Sequence, residues 1–168
     1  MRHLLRRHEI VADDWRHFDA EAPAASDAGG IIVAFAELRA HRQTWLSRQG
    51  PLGVRIGPAD PLEDLAPDLA RLALVAVEFP GPTEGRGYTQ GRLLRTRFGF
   101  SGEMRAVGPA VKQDLIFALA RCGFDAFEVA PGEDLGACQY ALQRYSVAYQ
   151  RAAPLLGRLR QRESAPRP

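Results

Sequence analysis

Four charged residues fall where four strands should be buried, one to each strand. They are Arg55 in Leu52-Gly-Val-Arg-Ile-Gly57, Glu78 in Leu74-Val-Ala-Val-Glu-Phe79, Arg105 in Met104-Arg-Ala-Val107, and Glu128 in Phe124-Asp-Ala-Phe-Glu-Val129. Burying a charge is costly unless it is paired or hydrogen-bonded. The alternation Arg, Glu, Arg, Glu therefore predicts one shared polar site. Two readings follow. One is a structural ion-pair ladder that fixes strand order. The other is a ligand or partner site at the carboxyl ends of parallel strands, where α/β proteins keep their chemistry. On the second reading Glu78 and Glu128 are candidate acids or bases, and Arg55 and Arg105 bind an anion or a partner.

A second candidate lies in the loop Pro80-Gly-Pro-Thr-Glu-Gly-Arg-Gly-Tyr-Thr-Gln90. Glycines free its backbone, and consecutive amides that open a helix form a pocket for an anion. Gly85, Arg86, Gly87 and Tyr88 are the residues that would line it. Glu84 would repel an anion there unless an arginine neutralises it, and otherwise it is a third candidate acid or base. The spacing fits neither a Walker loop nor the dinucleotide fingerprint. An ordinary βα turn is the competing reading.

Other chemistries find no residues. His3, His8, His17 and His41 all fall in the first quarter of the chain, outside the repeats that carry the charges, so neither a zinc site nor a Ser/His/Asp triad assembles convincingly, and surface positions are expected for them. Cys122 and Cys138 both fall on apolar helical stripes, as core thiols would. Two cysteines cannot hold an iron–sulfur cluster, and no Cys-x-x-Cys-His segment would attach haem. No metal and no cofactor is expected.

The elements that must position these residues follow from periodicity. The charges recur at roughly 23 to 27 residues, about one strand-loop-helix-loop unit. Residues two positions from the charges are mostly small (Gly53, Ala76, Ala126, Ala130), whereas the opposite face carries Val54, Ile56, Val75, Val77, Met104 and Phe127. Strands are predicted near Ile31, Leu52, Leu74, Met104 and Phe124. Helices are predicted to carry Leu38 and Trp45, to start at Asp60-Pro-Leu-Glu63 with a kink at Pro67, and to cover about 88–98, 111–122 and 133–149. Five consecutive βα units give a parallel sheet by right-handed crossovers. A curved partial barrel, half of a TIM-like one, is favoured over an open doubly wound sheet, which would want bulky residues on both faces. Its inner face is left for the N-terminal arm or for another molecule. That arm reads as a hairpin, with Glu9 to Ala12 extended, Asp13-Asp14 turning, and Trp15 to Phe18 returning.

With 168 residues, 46% of them hydrophobic, the chain suits one α/β domain over 1–150. Residues 1–30 form the arm and loop, and 151–168 a flexible basic tail. A net charge of +2, with Lys112 the only lysine, does not mark a nucleic-acid binder. The start lacks the apolar core of a signal peptide, and no run of about 18 apolar residues follows. A cytoplasmic protein with no membrane partner is the expectation.

The segments Arg2-His-Leu-Leu, Ile10-Val-Ala-Asp-Asp-Trp15, Leu52-Gly-Val-Arg-Ile, Ala76-Val-Glu-Phe-Pro80, Gly85-Arg-Gly-Tyr88, Arg92-Leu-Leu-Arg95, Arg105-Ala-Val-Gly108 and Arg121-Cys-Gly-Phe-Asp-Ala-Phe127 together resemble an uncharacterised bacterial domain family. Its members are labelled probable oxidoreductases involved in sulfite reduction. The family pattern has aspartate, serine and alanine where this chain has Glu84, Thr89 and Gly91. The resemblance implies a place in assimilatory sulfite reduction. The chain would be an accessory protein that docks on sulfite reductase or its electron donor, without a redox cofactor of its own. The alternative is a small enzyme or carrier that holds sulfite or another oxyanion at the carboxyl ends of the strands.

Overall fold

The computed structural model describes residues 3–18 and 29–144. Residues 145–149 of the predicted last helix and the tail 151–168 lie outside the described residues. Eight strands form one sheet: β1 (His3–Arg6), β2 (Glu9–Ala12), β3 (Trp15–His17), β4 (Gly30–Ala34), β5 (Leu52–Ile56), β6 (Leu74–Glu78), β7 (Glu103–Val107) and β8 (Ala126–Phe127). The spatial order is β2-β1-β8-β7-β6-β5-β4-β3. Strands β3 to β8 are parallel, and β1 joins both β2 and β8 in antiparallel fashion. The sheet curls into a half-barrel, as the asymmetry between its two faces predicts.

Each of the parallel strands β4 to β8 is followed by helix. The helices are α1 (Phe35–Ala40), α2 (Arg42–Leu46), α3 (Leu62–Leu65), α4 (Arg86–Thr96), α5 (Gln113–Arg121) and α6 (Leu135–Gln143). The single helix expected after β4 is two short ones. Pro67 sits in the first turn of a 3-10 segment, Ala66–Arg71, that follows α3. The proline restarts the helix in a tighter form because it cannot donate to the preceding turn. Asp60 does not cap α3. Its Oδ2 instead accepts the amide of Gly57 at 2.7 Å, behind it in the chain.

The outer face of the sheet carries the main core. Val33, Val54, Ile56, Val75, Val77, Met104, Ala106 and Phe127 pack beneath Leu38, Leu65, Leu94, Ile116, Leu119 and Leu142 of the helices. The inner face has its own small apolar group, Ile32, Leu74, Ala76 and Val107, with Trp15 against it. Trp15 pairs with Gly30, and a Cβ on Gly30 would come within 2.6 Å of its indole. The absence of a side chain there lets the ring lie on the sheet.

The N-terminal arm is a hairpin, but its turn is at Arg7-His8, where both residues have positive φ (48° and 75°). Such left-handed pairs match the twist of a two-residue hairpin. Asp13-Asp14 therefore does not fold Trp15–His17 back onto Glu9–Ala12. Strand β3 pairs instead with β4, at the far edge of the sheet. Because β2 ends at Ala12 and β3 begins at Trp15, only about 11 Å of chain can separate those points. The segment Glu9–His17 supplies both edges of the sheet and straps the open side of the curl. The arm covers the inner face around Ile32, Leu74 and Arg105 and leaves Arg55 exposed.

Candidate functional site

The pleat puts all four charged strand residues on the inner face. Arg55 is level with Ala76, Ala76 with Arg105, and Arg105 with Ala126, while Glu78 is level with Val107. Glu128, one residue past β8, donates its amide to Ala106 and so continues that alternation.

Arg105 is fully buried, and small Ala76 and Ala126 on either side leave room for its guanidinium. Nη1 donates to Asp13 Oδ1 at 3.1 Å and Oδ2 at 3.2 Å, and to Glu128 Oε1 at 3.0 Å. Nε and Nη2 both donate to Glu103 Oε1, at 2.9 and 2.7 Å. Burial is the largest single influence and opposes the charge. Glu103, Glu128 and Asp13 together outweigh it and raise the guanidinium's hold on its proton. One cation thus joins three carboxylates. A free anion could win those donors only by leaving carboxylates buried without a counter-charge.

The network extends in two directions. Arg6 Nε lies 3.0 Å from Glu103 Oε2, and His17 Nε2 lies 3.2 Å from Glu128 Oε1. The expectation that all four histidines stand apart on the surface is corrected for His17. Its strand is placed beside β4 by a long-range pairing, and its side chain meets the charged strand ends across the curl. The alternation Trp15-Arg16-His17 is the signal that could have found it, since it marks a short strand with Trp15 and His17 on one face.

Arg55 and Glu78 share the inner face but not the network. Arg55 is exposed and Glu78 half-buried, which corrects the expectation that every member of the quartet is buried. No hydrogen bond or ion pair among the described residues involves either side chain. Arg55 stands between Ala34 and Ala76, both too short to cover it.

The glycine loop behaves differently from an anion cradle. Helix α4 starts at Arg86 with Gly85 before it. Glu84 Oε1 accepts the Arg86 amide at 3.0 Å, and its two oxygens take Nε and Nη2 of the same residue, each at 3.0 Å. Side-chain and then backbone hydrogen bonds from Arg86 hold the Glu84 carboxyl below its usual range, and Glu84 raises the Arg86 guanidinium in return. The turn supplies its own anion. A Cβ on Gly87 would come within 2.7 Å of the Phe79 ring, so that glycine serves helix-to-strand packing. Tyr88 sets its ring edge-on to Phe79 at 5.3 Å, and burial raises its phenol. No hydrogen bond or ion pair among the described residues joins this turn to Arg105 or Glu128.

Further buried polar residues hold backbone carbonyls elsewhere in the fold. Arg95 is nearly inaccessible and donates to the carbonyls of Gly123, Phe100 and Gly102, with Asp125 3.4 Å away. Gln90 reaches from α4 to the carbonyls of Gly57 and Asp60, at 3.0 and 3.3 Å. Cys138 is buried and Cys122 half-buried, and both pack on the main core. Among the described residues no group of three or more His, Cys, Asp or Glu could hold a metal ion, and no helix is long and apolar enough to cross a membrane.

A family model described as a bacterial protein of unknown function, DUF934, matches residues 53–155. No curated protein matches the chain.

Proposed function

The chain belongs to the DUF934 family of bacterial proteins of unknown function, and we propose that it works by docking, as an accessory protein of assimilatory sulfite reduction. Its partner on this reading is sulfite reductase or the donor that feeds it electrons. The link to sulfite reduction rests on the sequence resemblance. The choice of docking over catalysis rests on the division of the charged quartet. Arg105 and Glu128 are spent on holding the N-terminal strap, whereas the side chains of Arg55 and Glu78, at the carboxyl ends of β5 and β6, have no hydrogen-bond or ion-pair partner among the described residues. Charges left free at a strand end, Arg55 between two alanines and Glu78 beside Val107, suit complementary charges on another molecule.

The test uses the purified full chain as bait for purified sulfite reductase. Arg55→Glu and Glu78→Arg each reverse one free charge and should weaken retention at least tenfold, with melting temperatures unchanged. Equal retention by both variants would overturn the docking reading. Arg55 also favours an oxyanion carrier as the second reading, because it is an exposed inner-face cation whose side chain has no partner among the described residues. Sulfite titration of the isolated chain, saturable and lost in Arg55→Ala, would favour that second reading.

A further inference from the structure

The carboxyl end of β5 holds an excess of acceptors. A Cβ built on Gly57 would lie 3.6 Å from Asp60 Oδ2 and 3.9 Å from Glu78 Oε2. The missing side chain therefore opens a notch bounded by two carboxylates from different units. Gln90 lies against the same turn. Its Nε2 is committed to the carbonyls of Gly57 and Asp60, which fixes which way the amide lies. Its Oε1, about 2.2 Å from that nitrogen by covalent geometry, is buried with no donor among the described residues. Gln90 itself is only 7% exposed. Asp60 Oδ2 has one donor, the Gly57 amide, and keeps free lone pairs. Arg55, two residues earlier on the same strand, bonds to neither carboxylate.

We propose that the notch beside Gly57 binds an ammonium or guanidinium group, in the docked state the side chain of a lysine or arginine of the partner. The inference rests on the docking reading and gives it a chemistry: a basic side chain at Gly57 next to an acidic one on Arg55. An organic cation suits the site better than a metal. It brings several N–H donors to separated acceptors, whereas calcium or magnesium wants six or more oxygens close around one point.

The experiment is an NMR titration of the ¹⁵N-labelled full chain with methylguanidinium chloride, against sodium chloride at equal ionic strength and against magnesium chloride. Saturable shifts centred on Gly57, Glu78 and Gln90 are expected with methylguanidinium alone. Gly57→Ala adds a methyl at ordinary contact distance, so it should fold and fill the notch. Glu78→Gln removes one carboxylate charge without changing its shape. Each should weaken the probe at least tenfold. No saturable shift, equal affinity in both variants, or tighter binding of magnesium would overturn the inference. Retention of sulfite reductase by Gly57→Ala after a null titration would remove the notch and leave the docking reading standing. A notch that binds methylguanidinium in a chain that never retains the reductase would remove the docking reading instead.

Discussion

Asp13 and Arg105 are separated by 92 residues in the chain and by 3.1 Å in the fold. The Asp13 side chain is only 1% exposed and that of Arg105 is wholly covered. Asp13 sits in the two-residue step between β2 and β3, the point where the arm crosses the open side of the curled sheet. The ion pair is therefore the fastening of the strap, and Glu103 and Glu128 complete its coordination.

Removal of Arg105 should accordingly be severe. Arg105→Met leaves Asp13, Glu103 and Glu128 facing one another without their shared cation. A buried pair broken on one side costs about 3–5 kcal/mol. Asp13→Asn, which keeps the shape and leaves Glu103 and Glu128 on Arg105, should cost about 1–3 kcal/mol. Urea unfolding of both variants checks the order. A larger loss in Asp13→Asn would show that the strap, not the hub, holds the inner face.

Alkaline stability should be set in part by Cys138. Burial, with Glu133 and Asp134 adding to it, pushes its thiol up to about 11 from an ordinary 9.0. Between those values the unfolded chain has lost a proton that the folded chain keeps. Unfolding is then favoured by rising pH, so the contribution is complete below pH 9 and disappears as the pH climbs through about 11. Tyr88 and Cys122, both raised by burial, act in the same direction. Cys138→Ala should flatten part of the decline in urea midpoints above pH 9. An unchanged slope would assign the decline to the other two groups.

Arg86 should matter less than its place between two glycines suggests. Its donors already meet Glu84 in the same exposed turn. Arg86→Ala should leave the melting temperature, sulfite titration and retention of sulfite reductase unchanged. A loss of either binding signal in this variant alone would restore the turn as a functional site.

The sequence makes the βα repeat legible because each strand must put an apolar face under its helix. It makes the charged inner face legible because the pleat alternates. Val54 and Arg55, or Val77 and Glu78, announce both faces at once. The arm is read less well for a physical reason. Asp13-Asp14 has the local chemistry of a turn, and nothing nearby says that its destination is a guanidinium 92 residues away. His17 is misplaced with it, since a histidine outside the repeats gains a partner only once β3 has crossed the sheet. Local signals mislead again at Asp60, where an N-cap is expected but the carboxylate turns back to Gly57. They mislead too at Glu84 and Arg86, which pair across one glycine in a turn, where neither helical nor strand periodicity applies.

Gly85 and Gly87 look alike in the sequence and should separate in the laboratory. A Cβ at Gly85 meets nothing within 4 Å, and its φ of −90° is open to any residue. Gly85→Ala should therefore leave stability within about 0.5 kcal/mol of the parent. At Gly87 the added carbon would press on Phe79 at 2.7 Å. That ring is buried and also packs on Tyr88 and Phe124, so it has little freedom to retreat. Overpacking of this kind costs about 1–3 kcal/mol, and urea unfolding of Gly87→Ala should read a loss in that range. An equal and small effect at both positions would mean that α4 can lift from β6. The seat of the helix, and with it the position of Gln90 over Gly57, would then be softer than the close packing of Gly87 on Phe79 implies.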